Sequence, residues 1–392
     1  MGIDIQHLLM QVTRQVSQHS ETPLLDAQVL LAHTLGKPRS WVLAHPEAML
    51  TDQQSDNIFK ALKRLKQDEP LPYVIGHWEF FGLDFSLTPD VLIPRPETEL
   101  LVERALYWLH HHPGSRQVVD IGTGSGCIGI ALAVNNPGIN VLLTDASLRA
   151  LNNAKVNAEK YNLANRLSFQ QADLLVGVNS SFDLICANLP YVPRDVLMKL
   201  PVAKREPLLA LDGGKRGLEL IAKLLSQARD HLAPGGMMLL EVEASQGGEV
   251  LSLTQGLYPA SEVMVLKDLS GYDRCVEITP SNLIVHLCPH HEWLEAKQRG
   301  AYSDNSLTQE GFIHCSRPDQ LLQVANRYYR AVPEMKVLWI ESEKLTSEIH
   351  WETSKGGLFP HVYGPINLPA VAAVTDLQPD EDGNYRLVNP PD

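Results

Sequence analysis

The sequence predicts an α/β chain in three parts: a helical bundle, a mainly parallel sheet covered by helices, and a small α+β domain. Three observations carry that prediction. Apolar residues in the first 67 positions, among them Leu24, Ala27, Leu30, Leu31 and Leu35, recur at three- and four-residue steps, as on a helix face. From Val118 to Gln255, strand-like and helix-like patterns alternate, which is how a parallel sheet with crossover helices is built. After Thr279-Pro280-Ser281-Asn282 a fresh strand pattern begins, and the roughly 110 residues that remain are enough for a domain of their own.

Taken in order, residues 1–70 are the bundle. Gly36-Lys37-Pro38 and His45-Pro46 interrupt it, Thr51 or Asp52 caps its last long helix, and Pro70 and Pro72 close it. Residues 71–93 alternate apolar and polar side chains around Phe81-Gly82-Leu83-Asp84, which predicts a β-hairpin bridge. Residues 94–279 are the sheet domain. Pro96 suits the first turn of a helix that runs to about His111. Strands are expected at 118–121, 140–144, 167–170, 182–187 and 237–242, with helices at 127–135, 148–161, 218–232 and 247–255. The segments 262–266 and 274–278 close this part as an antiparallel terminal hairpin, and residues 282–392 form the last domain.

Composition narrows the function classes. At 392 residues, 44% hydrophobic and 20% charged, the chain has the balance of a folded globular protein. No window approaches the roughly 18 consecutive apolar residues of a membrane span, and the first residues lack the basic-then-apolar order of a signal peptide. The expectation is a cytoplasmic protein with no membrane partner. Five scattered cysteines, an odd number, point to reduced thiols. The net charge of −13 is shared by both ends of the chain, −7 over residues 1–280 and −6 over 281–392. Direct nucleic-acid binding is therefore not expected.

The chemistry gathers at strand ends. Asp120-Ile121-Gly122-Thr123-Gly124-Ser125-Gly126 breaks an apolar strand into glycines before the next helix, so backbone N–H groups can come close to a ligand. Its G-x-G-x-G spacing departs from the dinucleotide fingerprint, which argues against a nicotinamide cofactor here. Asp145 ends the next strand 23 residues after Gly122, near the distance at which a carboxylate meets ribose hydroxyls. Asp173 follows the third strand, where it could accept from an adenine amino group; the alternative for both acids is that they cap helices. Three such features fit an adenosyl ligand lying across the sheet edge.

Asn188-Leu189-Pro190-Tyr191 follows the fourth strand. A conjugated amide or amino nitrogen is a poor nucleophile because its lone pair is delocalised. Accepting one of its N–H groups on the Asn188 side-chain oxygen and the other on a backbone carbonyl at Leu189 or Pro190 directs that lone pair at an electrophilic methyl group. Tyr191 could stack on the planar acceptor.

At these residues the chain resembles the S-adenosylmethionine-dependent methyltransferases with a Rossmann-like core, and specifically the family that methylates the glutamine of the Gly-Gly-Gln motif in class I peptide chain release factors. The likeness covers about residues 1–278, and its most discriminating stretch is Ile93-Pro94-Arg95-Pro96-Glu97-Thr98-Glu99. By this resemblance Gly122, Thr123, Gly124, Ser125 and Gly126 hold the methionine end of the cofactor, Asp145 the ribose, and Asp173 with Leu174 the adenine. Asn188 and the backbone that follows it hold the glutamine amide, and the bundle meets the release factor. The family's usual Asn-Pro-Pro-Tyr is Asn188-Leu189-Pro190-Tyr191 here; leucine keeps the carbonyl but loses the fixed φ of proline. The competing reading is an adenine-amino methyltransferase of DNA or RNA, which uses a similar loop on the same kind of nitrogen.

The last domain holds six of the fifteen histidines. Gly311-Phe312-Ile313-His314-Cys315-Ser316 and Leu358-Phe359-Pro360-His361-Val362-Tyr363 resemble an uncharacterised bacterial domain family whose fold is related to that of ADP-ribosyl transferases. That resemblance makes His286, His314, Ser316, His361 and Tyr363 candidates for a polar pocket, with a nicotinamide nucleotide as the ligand to test. Cys288-Pro289-His290-His291 lacks the second ligand pair of a closed zinc site, and no metal is assigned.

Overall fold

In the computed structural model, which describes residues 3–18, 20–258, 261–354 and 357–386, the Asp4 carboxylate opens helix α1 (Ile5–Val16) by accepting the His7 N–H at 2.8 Å. Helix α2 (Pro23–Leu35) stops where Gly36 takes φ +61, and α3 (Arg39–Ala44) follows. Thr51 and Gln54 form a capping box at the start of α4 (Asp52–Leu65). Leu8, Val12, Leu30, Leu31, Ile58 and Leu62 fill the core between these helices.

The expected bridge is narrower than residues 71–93. Its first part is helical, α5 (Leu71–Ile75), because Pro70 and Pro72 preset the first turn and Gly76 ends it at φ +80. The hairpin itself is β1 (His77–Phe80) and β2 (Leu83–Ser86). Its two loop residues, Phe81 and Gly82, both have positive φ, at +53 and +70. That is the type I′ geometry that matches strand twist.

A 3₁₀ turn, Pro96–Thr98, leads into α6 (Glu99–His111). Next come β3 (Arg116–Ile121), α7 (Cys127–Asn135), β4 (Ile139–Asp145), α8 (Leu148–Lys160), β5 (Leu167–Gln171), β6 (Phe182–Ala187) and the short α9 (Arg194–Leu197). Helix α10 (Glu219–Ala228), β7 (Leu232–Glu241), α11 (Gly247–Leu257), β8 (Ser261–Lys267) and β9 (Asp273–Pro280) complete this part. Seven strands form one sheet in the order β5-β4-β3-β6-β7-β9-β8. Strands β3, β4 and β5 pair in parallel, whereas β9 runs antiparallel to both β7 and β8. Strand β7 starts five residues before the expected 237, and α10 ends at Ala228 rather than 232. Pro234 and the Gly235-Gly236 pair, left between the expected helix and strand, lie within the strand.

Contacts divide the chain into two units, residues 1–176 with 186–220, and residues 177–185 with 221–392. In the second unit only Ser281 and Asn282 separate β9 from β10 (Leu283–Pro289). Then follow α12 (His290–Arg299), β11 (Ala301–Tyr302), α13 (Asn305–Gln309), β12 (Ile313–His314), α14 (Leu321–Tyr328), β13 (Met335–Glu341), β14 (Glu348–Ser354), β15 (Gly357–Tyr363), β16 (Ile366–Asn367) and β17 (Val371–Leu377). Two antiparallel three-stranded sheets, β10-β13-β17 and β12-β15-β14, enclose Ile284, Ile313, Leu338, Ile340 and Val362. Arg229, just past the end of α10, pairs with Asp319, and the Arg317 guanidinium donates to the Arg229 carbonyl, so these contacts add to the short link from β9 in holding this domain. No described helix is long and apolar enough to cross a membrane.

Candidate active site

Successive strand ends bring the site together. After β3, Gly122, Gly124 and Gly126 take φ +70, +56 and +83, conformations that other residues adopt at a cost. A Cβ on Gly126 would lie 2.8 Å from Ile130 Cδ1 and 3.1 Å from Ala154 Cβ, so glycine there lets the loop close onto α7 and α8. Asp120, fully buried, pins the loop from beneath: its Oδ2 accepts the Thr123 hydroxyl at 2.6 Å and the Gly129 N–H at 2.9 Å, while Oδ1 has no partner among the described residues. Burial pushes its carboxyl up to about 6, against the pull of those two donors.

Asp145 ends β4. Its Oδ2 accepts the Gly124 N–H at 3.0 Å and its Oδ1 the Ser147 N–H at 2.8 Å, so it both braces the glycine loop and opens the turn into α8. The cap of α8 is Ser147, whose hydroxyl accepts the Ala150 N–H, so Asp145 braces the turn before the helix rather than capping it, and each of its oxygens keeps a lone pair for a ligand. Burial raises its pKa, and the two N–H donors act in the opposite direction. After β5 come Asp173 and Leu174, the latter nearly buried at φ +59.

Beyond β6 stands Asn188, half-buried, whose Nδ2 donates to the Thr98 hydroxyl at 3.0 Å. The Leu189 side chain is buried, with Cδ2 3.1 Å from where a Gly122 Cβ would be. A cavity of about 360 Å³ runs past Gly122, Thr123, Gly124, Ser125, Asp145, Asp173, Leu174, Asn188, Leu189 and Pro190. Gly126 and Tyr191 are not among its lining residues, because Gly126 faces the helices and Tyr191 has passed onto the segment that packs on Gly213.

Four supporting residues received no role from the sequence. Thr98 fixes the Asn188 amide. Asn157, fully buried, donates to the Ser125 and Ser86 carbonyls and accepts the Ser86 N–H, joining glycine loop to hairpin. Glu206 accepts the Ile93 N–H at 3.1 Å and pairs with Arg95. A Cβ on Gly213 would lie 2.7 Å from Tyr191 Cα and 2.8 Å from the Pro190 oxygen, so glycine there admits the Asn-Leu-Pro-Tyr backbone. No local pattern shows these pairings, because the partners are 90 residues apart for Thr98 and Asn188 and 113 for Ile93 and Glu206.

In the last domain the five candidates fall in two places. His314, His361 and His350 occupy directly paired positions across β12, β15 and β14, with Tyr363 on the same face. Phe312 stacks on His361 with ring centroids 4.2 Å apart, and Glu352 accepts from both His361 and the Tyr363 hydroxyl. His286 is buried on β10 instead, its Nδ1 2.7 Å from the His314 carbonyl oxygen and its Nε2 2.9 Å from the Tyr302 hydroxyl. Ser316 joins β10 through paired backbone bonds with Val285.

Three family models match parts of the chain. Residues 7–76 match the model described as "PrmC N-terminal domain", residues 97–202 the "Methyltransferase small domain", and residues 287–374 a "Protein of unknown function (DUF952)". The release factor glutamine methyltransferase of Moorella thermoacetica is 40% identical over 266 residues, which is 67% of this chain and 94% of that protein. The one from Bradyrhizobium diazoefficiens is 37% identical over 66% of this chain and 89% of its own length. Among solved structures, a release-factor-specific protein-(glutamine-N5) methyltransferase from Alicyclobacillus acidocaldarius is 30% identical, covering 50% of this chain and 99% of that one, with TM-score 0.32. A Caulobacter crescentus protein is 33% identical, covering 26% of this chain and 93% of its own, with TM-score 0.26. The curated relatives match almost from end to end, and the chain belongs to the release factor glutamine methyltransferase family, with a further domain appended at its carboxyl end.

Proposed function

We propose that the chain uses S-adenosylmethionine to methylate the side-chain amide nitrogen of the Gly-Gly-Gln glutamine in class I release factors. The observation that carries this reading is the Asn188 side chain, half-buried at the end of β6 and bordering the same cavity as the glycine loop and Asp145.

The donor set fits the cofactor. The open side of Gly124, where a Cβ would meet nothing within 4 Å, receives the methionine end close to backbone; the spare lone pairs of Asp145 accept from ribose hydroxyls; Asp173 and Leu174 border the adenine. When bound, S-adenosylmethionine supplies an electrophilic methyl group.

The chain's own contribution is orientation. Asn188 Oδ1 accepts one N–H of the glutamine amide. The Pro190 oxygen packs against Gly213, which leaves the Leu189 carbonyl to accept the other. The nitrogen lone pair is then aimed along the cavity, and no strong base is needed because the alkylated nitrogen is acidic enough to lose its proton to water. Residue 189 contributes a main-chain oxygen, so leucine serves there as proline does.

The test is methyl transfer from labelled S-adenosylmethionine to purified release factor, its Gly-Gly-Gln→Gly-Gly-Ala variant and duplex DNA in parallel, with peptide mapping. Label confined to the intact factor supports the reading. Label on DNA favours the adenine-amino alternative.

A further inference from the structure

We propose that Thr98 is a positioning residue for methyl transfer, holding the Asn188 amide with its oxygen turned toward the substrate. This rests on the function proposed above and assigns a role within it to the Ile93–Glu99 stretch, which the sequence marked only as distinctive.

An asparagine amide has two orientations that exchange oxygen and NH₂. Only one offers an acceptor to a substrate that brings two N–H groups and no acceptor on its nitrogen; the other sets donors against donors. Thr98 is 2% exposed and borders the cavity, and its hydroxyl oxygen accepts from Asn188 Nδ2 at 3.0 Å. That bond engages the donor end of the amide and frees Oδ1.

The hydroxyl does not simply follow Asn188, because the backbone carrying it is anchored on both sides. The Thr98 N–H donates to the Arg95 carbonyl at 3.1 Å. Arg95 in turn pairs with Glu206, which also takes the Ile93 N–H. On the other side, Glu99 accepts the Phe81 N–H at 2.9 Å. A side chain anchored by such a frame holds the Asn188 amide in place before substrate arrives, with Nδ2 on the Thr98 oxygen and Oδ1 left for the substrate, and preorganisation of this kind acts on turnover more than on affinity.

The experiment uses the full chain with three substitutions: Thr98→Val, which keeps the shape and removes the hydroxyl; Thr98→Ser, which restores it; and Asn188→Ala as reference. Turnover and KM on purified release factor are measured alongside S-adenosylmethionine affinity by calorimetry. Thr98→Val is expected to lower kcat roughly 10- to 100-fold, with KM and cofactor affinity within about twofold, and Thr98→Ser to stay within about threefold of the parent. The proposal is overturned if Thr98→Val turns over like the parent, if Thr98→Ser falls as far as Thr98→Val, or if cofactor affinity falls in step with kcat. A parent chain that leaves release factor unlabelled overturns the function proposed above together with this role. An active parent with a crippled Asn188→Ala and an unaffected Thr98→Val overturns this role alone.

Discussion

Leu189 closes against Gly122: a Cβ built on the glycine would lie 3.1 Å from Leu189 Cδ2 and 3.8 Å from the Asn188 carbonyl oxygen. The glycine loop proposed to hold the cofactor and the loop proposed to hold the substrate are therefore packed on one another, and the missing side chain at 122 sets how closely. Gly122→Ala combines this tight approach with φ +70, which costs an L-residue about 1–2 kcal/mol. The expected result is weaker S-adenosylmethionine binding by calorimetry. Adding Leu189→Ala relieves the contact but not the backbone strain, so recovery should be partial; full recovery would show that φ is immaterial.

Leu189→Pro is expected to leave turnover within about tenfold of the parent, a barrier change of roughly 1.4 kcal/mol. The substitution removes buried contacts with Gly122 and supplies a fixed φ, while the carbonyl stays. A parent without activity that gains it through this change would contradict the role given to residue 189.

Asp145→Ala and Asn188→Ala should separate binding from turnover. Loss of Asp145 releases the Gly124 and Ser147 N–H groups and removes the proposed ribose acceptor, so cofactor affinity should fall by tenfold or more, about 1.4 kcal/mol. Asn188→Ala should cut kcat by roughly 100-fold with cofactor affinity nearly intact. If both variants lost only cofactor affinity, the division of roles would be wrong.

Asp120 links this site to pH. Its folded carboxyl titrates near 6, above the unfolded value, so the native state keeps a proton that the unfolded chain has already released. Stability from this group is present below about pH 4, declines as pH rises to about 6, and is flat above; the shift corresponds to about 3 kcal/mol at most. Asp120→Asn should remove that decline. The check is the difference in denaturation midpoint between parent and variant at pH 4.5 and pH 7, which should change between the two; an unchanged difference would mean that Asp120 does not titrate there.

Glu206→Ala should destabilise the wall shared by Pro94 and Arg95. It leaves the buried Ile93 N–H without an acceptor and Arg95 without its partner, about 2–3 kcal/mol by the cost of unmet buried donors. Glu206→Gln keeps an acceptor for Ile93 and should lose less. Urea titration of the two variants beside the parent measures both.

The sequence by itself determined the order of elements and where the residues proposed for the chemistry stand along it. Periodicity marked the bundle, glycines at 122, 124 and 126 marked the turn after β3, and Asp145, Asp173 and Asn188 each stood where a strand pattern ended. Those features are local, written in a few consecutive residues, because φ preference and side-chain alternation act over one turn or one strand. Only the tertiary structure decided which distant groups meet. Thr98 finds Asn188 across 90 residues, Glu206 finds Ile93 across 113, and Gly122 receives the side chain of Leu189. The same holds for the last domain, where strand register sets His314, His361 and Tyr363 on one face and leaves His286 buried on another strand. Such pairings depend on how strands align and loops close, and no local preference encodes them.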